Sequence, residues 1–305
     1  MSYEADAALS RNGSWKSWVM ASALDNPLHG VLSVARLTWL EARRTRMALA
    51  ALLCAVLFLT AYGLAVYFLF PTAQSASGRP LFTRQSQLAI LTLIGFYVAN
   101  FLVVAVSVML PVDSISGEIE SGVIETIASK PVTRAAIVLG KWLAFSLMTA
   151  VYLLLVAGGI VLLVRTLTGY SPPHLARALP LMFLGASTLL TLCIAGGTRF
   201  KTVTNGILVF GFYAMAFIGG WVEEIGFVLG NESARYIGTA ISLISPADSM
   251  WRLASHEMKP TLLQELPMGP FSTAAVPSGA MVAWTVGFIV LALALALRQF
   301  QRRPL

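Results

Sequence analysis

Long apolar runs without a charge alternate along the chain with short polar stretches, and six of those runs are long enough to matter. They cover Met47 to Phe70, Ser86 to Pro111, Trp142 to Val164, Ala178 to Thr198, Thr202 to at least Val222, and Met281 to Leu297. A bilayer core of roughly 30 Å is crossed by roughly 20 helical residues, so each run predicts a transmembrane helix. A seventh apolar stretch, Tyr236 to Ile244, is too short to cross and ends at Ser245-Pro246-Ala247-Asp248. It predicts an interfacial or re-entrant helix. Before the first span, Leu32, Ala35, Trp39 and Leu40 recur at helical spacing among Arg36, Glu41, Arg43, Arg44 and Arg46. That pattern predicts an amphipathic helix over residues 28–46, lying in the headgroup plane. The fold class is therefore an all-α polytopic membrane protein.

Composition agrees with the pattern. Of 305 residues 57% are hydrophobic and 11% charged, with a mean hydropathy of +0.77. A soluble domain carries about 25% charged residues, so a soluble enzyme, a disordered tail and a disulfide scaffold are all excluded. Cys54 and Cys193 both fall inside apolar runs and read as small buried side chains without metal spacing. Residues 1 to 23 are polar and mixed, so no cleavable secretory signal is expected.

Lysine and arginine favour the cytoplasmic side. With the N-terminus inside, fourteen of the 21 basic residues fall on the inner side and seven on the longer outer loops. The expected location is the cell (inner) membrane with both termini cytoplasmic. Because the charges sit at span ends, the pI of 9.7 reflects topology and no nucleic-acid partner is expected.

Between the second and third spans, residues 113–141 carry a different pattern. Ile115, Ile119, Val123 and Ile127 form a drifting apolar stripe, each four positions from the last. Glu118, Ser121 and Glu125 fall on the opposite side, with Glu120 near the edge of the stripe. Pro131 stops the helix. An acidic face beside an anionic inner leaflet is repelled, which points to a protein partner and not to lipid.

This acidic segment, followed by P-V-T-R-A-A-I-V-L-G-K leading into the third span, resembles the permease subunits of type-2, export-type ATP-binding-cassette transporters. The stretch A-R-L-T-W-L-E-A-R-R-T-R resembles that family's N-terminal elbow helix, and the S-P-A-D run its outer segment before the last span. The resemblance implies six spans preceded by an elbow helix, with a cytoplasmic coupling helix that docks on an ATPase subunit. It makes Ile115, Glu118, Ile119, Glu120, Val123, Glu125 and Ile127 the ATPase-coupling residues. The implied organisation is a cytoplasmic tail (1–27), an elbow helix (28–46), a transmembrane domain (47–298) containing the coupling segment (113–141) and an outer segment (223–278), and a C-terminal tail (299–305). A second permease copy, identical or related, and membrane lipid are the other implied partners.

The chain has no P-loop. At its nearest approach to G-x-x-x-x-G-K-[ST], Ala135 replaces the first glycine and Trp142 the hydroxyl residue. ATP and magnesium are thus expected on the partner, with no cofactor, metal or catalytic residue in this chain. His29, His174 and His256 are far apart and form no metal motif. Glu223-Glu224 would begin an E-E-x-x-x-R protease signature, but Val228 stands in place of the arginine. The pair reads either as a boundary at the outer headgroups or as a lining of the exit. Asn205, near the inner start of the fifth span, is expected to be solvated. A membrane-embedded enzyme and an ion-driven secondary transporter are the alternative classes. The first would need a convergent catalytic cluster, the second repeated halves with charges at mid-membrane.

Overall fold

The computed structural model describes residues 27–75, 84–120, 133–260 and 276–302, and no strand occurs among them. In chain order the helices are α1 (Pro27–Ala42), α2 (Arg46–Ser75), α3 (Arg84–Met109) and the short α4 (Ser116–Glu120). Then come α5 (Arg134–Thr168), α6 (Leu175–Gly197), α7 (Thr202–Val228), α8 (Glu232–Ile244), α9 (Ala247–Glu257) and α10 (Gly279–Arg302). Six of them, α2, α3, α5, α6, α7 and α10, are long and apolar enough to cross a membrane. They are the six that the apolar runs predict. Helices α5, α7 and α10 outrun their charge-free windows because charged residues end a hydrophobic run without ending a helix, whereas α3 and α6 stop two and one residues short of theirs. Thus α5 begins at Arg134, where the Thr133 hydroxyl accepts from the Ala136 amide, and closes at Gly169 with φ 72°.

The spans share two ends. One carries Arg46, Arg134, Lys201 and Arg302 and is called the basic end here; the far end carries Arg165, Arg177 and Glu232. Contacts respect this division. Thr198 of the α6 C-cap reaches Gln299 of α10 and Arg134 reaches the Gln301 carbonyl at the basic end. Arg177 faces Glu257 at the far end.

A central cluster joins α2, α3, α5, α6 and α9 through Val66, Phe96, Val103, Val156, Ile160, Met182 and Ala254. Inside the spans Thr92, Thr188 and Thr191 donate to carbonyls four residues back on their own helix. In hydrocarbon that satisfies these three hydroxyl donors.

Helix α1 lies along the start of α5. Gly140 makes the approach possible: a β-carbon there would come within 2.7 Å of Val34 Cβ and 2.8 Å of the Val31 carbonyl. The face turned inward is Val31, Val34, Thr38 and Ala42, while Leu28, Leu32 and Leu37 are exposed. A helix therefore stands here over Pro27–Ala42, shorter than 28–46, and its inward side is rotated from the Leu32–Ala35–Trp39 stripe. A second departure concerns Cys54, which is exposed on α2, whereas Cys193 is buried.

The stretch that is too short to cross forms a re-entrant hairpin. Helix α8 folds back along α7, and α9 returns against α6. Between them, Ser245 and Pro246 are buried; the Ser245 hydroxyl is 3.5 Å from the Phe212 carbonyl, and Ala247 lies against Gly185. Phe212 and Gly185 each stand about 15 Å from the first residue of their helix at 1.5 Å per residue, so the turn sits at mid-span. Irregular backbone at that depth is tolerated because it is enclosed by protein.

Candidate functional site

Three groups of side chains stand out, one at each end of the bundle and one between. At the basic end, residues 110–115 turn out of α3 and lead into α4. Lys141, on the second turn of α5, is almost completely buried and reaches this segment. Its Nζ lies 2.5 Å from Glu118 Oε2 and also donates to the Ser114 carbonyl. Thr202, the first residue of α7, donates from Oγ1 to Asp113 Oδ1 at 2.9 Å and lies 2.8 Å from the Ser116 hydroxyl. Beneath these contacts Ile115, only 1% exposed, packs with Ala42, Ile137, Phe145, Ile194 and Phe300. One short segment therefore bonds to α5 and α7 directly and shares an apolar cluster with α1, α6 and α10.

At the far end the hairpin is fastened by charge. Arg252 of α9 places Nη1 2.8 Å from Glu223 Oε2 and Nε 3.2 Å from Asp248 Oδ2. Thr239 and Ser242 of α8 donate to the two Glu223 oxygens, and Arg252 Nη2 donates to Ser242 and Ser249. Burial pushes the Asp248 carboxyl up to about 6, and the Glu223 charge adds to it while Arg252 opposes. Lys259 is lowered to about 8, by burial first, with the Glu224 charge opposing. Outside the ion cluster, Glu223 also borders a pocket of about 370 Å³ with Phe227, Glu232, Arg235, Tyr236 and Thr239.

Between the two ends, α3 and α7 leave a cavity of about 490 Å³ lined by Tyr97, Asn100, Phe101, Phe210, Tyr213, Phe217 and Trp251. Trp251 of the re-entrant helix meets Tyr97 edge-on at 5.7 Å. The cavity wall is aromatic, and Asn100 supplies an amide. No group of three metal-ligating side chains occurs among the described residues.

The residues singled out from the sequence divide as follows. Ile115 faces inward and serves as an anchor on the bundle, so it offers no surface to a partner. Glu118 lies in α4 and is paired with Lys141. Ile119 and Glu120 complete α4, although their side chains lie outside the described residues. Val123, Glu125 and Ile127 lie outside them entirely. Glu223 is in the Arg252 cluster, and Glu224 is buried beside the charge of Lys259. Asn205 corrects the expectation of solvation: it is buried, and its Nδ2 donates to the Cys193 carbonyl at 2.8 Å, tying α7 to α6.

Four residues carry more than their sequence context announces: Lys141, Thr202, Asp248 and Arg252. The available signal for Lys141 is a single cation directly before an unbroken apolar run. For Asp248 and Arg252 it is opposite charge at i and i+4 after a proline.

The architecture is that of a polytopic helical transport component with a re-entrant hairpin. A family model described as ABC-2 family transporter protein matches residues 32–305, so the chain belongs to the ABC-2 family of membrane transporter proteins. No curated protein matches it. The membership makes the chain a permease component of an ATP-binding-cassette transporter, with no catalytic activity of its own.

Proposed function

We propose that this permease is one half of the membrane pathway of an ATP-driven exporter and that a separate cytoplasmic subunit hydrolyses ATP. The ATPase binds ATP and magnesium, since the chain has no P-loop. A second copy, identical or related, completes the pathway, with the aromatic α3–α7 cavity facing it and the whole assembly set in lipid of the inner membrane. Both termini and residues 113–141 are cytoplasmic on the distribution of lysine and arginine. The ATPase docks on the segment beginning at α4, with Ile119, Val123 and Ile127 seating it and Glu118, Glu120 and Glu125 orienting it. Ile115 is the anchor of that segment. At the other end, Glu223 and Glu224 lie beside the exit.

The observation that carries the coupling half of this reading is the attachment of residues 113–118 to α5 and α7 together. A surface loop needs no such double fastening. The test is co-purification of the tagged permease with an ATPase expressed from the neighbouring reading frame. Burying one aliphatic side chain is worth roughly 1.5–3 kcal/mol, so Ile119→Asp should lower ATPase recovery by about tenfold or more. Leu229→Asp, an exposed position in the α7–α8 turn, should leave recovery unchanged. Full ATPase recovery and nucleotide hydrolysis with Ile119→Asp would refute the docking assignment.

A further inference from the structure

Lysines near a membrane usually act as hydrated topology signals, yet Lys141 has turned inward and is 4% exposed. A buried ion pair rarely adds stability over an apolar pair of the same shape, so stability is a poor reason for its presence. What such a pair does give is register. Only one placement of residues 113–118 along α5 lets Nζ meet both the Glu118 carboxylate and the Ser114 carbonyl. Glu41 of α1 and Asp113 add their charges to the same ammonium.

Thr202 holds the other side. Its hydroxyl engages Asp113 and Ser116 at 2.9 and 2.8 Å from the first residue of α7. The same helix carries Phe210, Tyr213 and Phe217 of the aromatic cavity, two to four turns further on. A helix of 27 residues transmits displacement at its start along its axis, because its hydrogen bonds make it stiff. Nothing in ordinary packing requires a hydroxyl at the start of α7 to bridge two residues of another segment.

We propose that Lys141 and Thr202 are positioning residues that carry movement of residues 113–118 into α5 and α7, and so link the docking segment to the cavity wall. Lys141 fixes the segment in register on α5, and Thr202 passes its displacement to α7. The inference rests on the ATPase-docking reading above, and the experiment separates the two.

The complex of permease and ATPase, in lipid nanodiscs, is compared with and without magnesium ATP plus vanadate by hydrogen–deuterium exchange. In the wild type, peptides covering 113–120 and 202–210 should each change exchange rate by at least about threefold, as local opening energies change. Thr202→Val keeps the side-chain shape and removes only the hydroxyl. It should retain the response at 113–120 and reduce that at 202–210 to less than about half. Lys141→Met should do the same with the ATPase still bound. A full response at 202–210 in both single variants overturns the proposal. So does a wild type that responds at 113–120 but not at 202–210. A wild type silent at 113–120 overturns the docking reading itself, and this inference with it.

Discussion

Arg252 stands between two carboxylates in a space that leaves it 10% exposed, with Asp248 at 8% and Glu223 at 16%. Removing one partner of a buried pair costs about 3–5 kcal/mol because the remaining charge has no counterion. Arg252→Met abandons two carboxylates at once. It should cost at least that much, read as a large fall in the thermal midpoint of the detergent-solubilised protein. Glu223→Gln should be milder, since Asp248 still neutralises the guanidinium. Asp248 also gives the cluster a pH dependence. Its folded pKa of about 6 lies above the ordinary 3.8, so between those values the folded protein holds a proton that the unfolded chain has released. Stability contributed by Asp248 is therefore complete below about pH 4 and falls as pH rises towards 6, by at most about 1.4 kcal/mol for each pH step of one, and levels off above. The stability difference between wild type and Asp248→Asn, measured from pH 4 to 7, should move in that sense; a flat difference would refute it. The sequence places Lys141 as a topology charge and, for Arg252, offers only Asp248 four positions earlier. Glu223 and Glu118, their partners across helix interfaces, lie 29 and 23 residues away, and no local pattern records that pairing. Asn205 escapes for the same reason, since its acceptor is a carbonyl of the neighbouring helix.

Among the helices, length and hydropathy make all six spans legible, because the bilayer thickness leaves few other uses for 20 apolar residues. The short run before Ser245-Pro246 is legible as non-crossing for the same reason. Its depth is not, because depth depends on whether the neighbours leave room. Here they do so with glycine. A β-carbon on Gly238 of α8 would come within 2.6 Å of the Glu223 amide nitrogen on α7, a backbone atom that no rotamer change can move. Gly238→Ala should therefore loosen the hairpin and cost about 1–3 kcal/mol through overpacking. Gly211 of α7 is the natural comparison, since a β-carbon there meets nothing within 4 Å. Gly211→Ala should be neutral or stabilising by up to about 1 kcal/mol from helix propensity alone. Protease sensitivity of the α7–α8 turn, read beside the thermal midpoint, distinguishes a loosened hairpin from a general loss of stability. Equal behaviour of the two alanine variants would show that the close α7–α8 approach is not a packing constraint. Helix α9 is hidden in the sequence because the proline that ends α8 also begins the next turn, with Pro246 at the α9 N-cap.

At the scale of the whole molecule, the two ends are built differently, and the difference has a testable direction. The basic end fastens a connecting segment to α5 and α7 through a lysine and hydroxyls, whereas the far end tucks a hairpin half-way into the bundle through an ion cluster. Six spans with both termini on one side put these two arrangements on opposite faces of the membrane. On the function proposed above, the basic end faces the cytoplasm. Gln301 near the end of α10 and Ser233 at the start of α8 are both exposed and belong to opposite ends of the bundle. In a background with Cys54 and Cys193 replaced by alanine, Ser233→Cys should react with an impermeant thiol reagent in intact cells. Gln301→Cys should react only after the membrane is opened. The reverse pattern would invert the topology and remove the segment around α4 from the reach of a cytoplasmic ATPase, leaving the family membership intact and the coupling proposal untenable. Labelling of both positions from outside would contradict the crossing by α10 that separates them. On the coupling proposal, α7 then joins the α4 segment to the far-end hairpin, past the aromatic cavity, at Glu223 and Arg252.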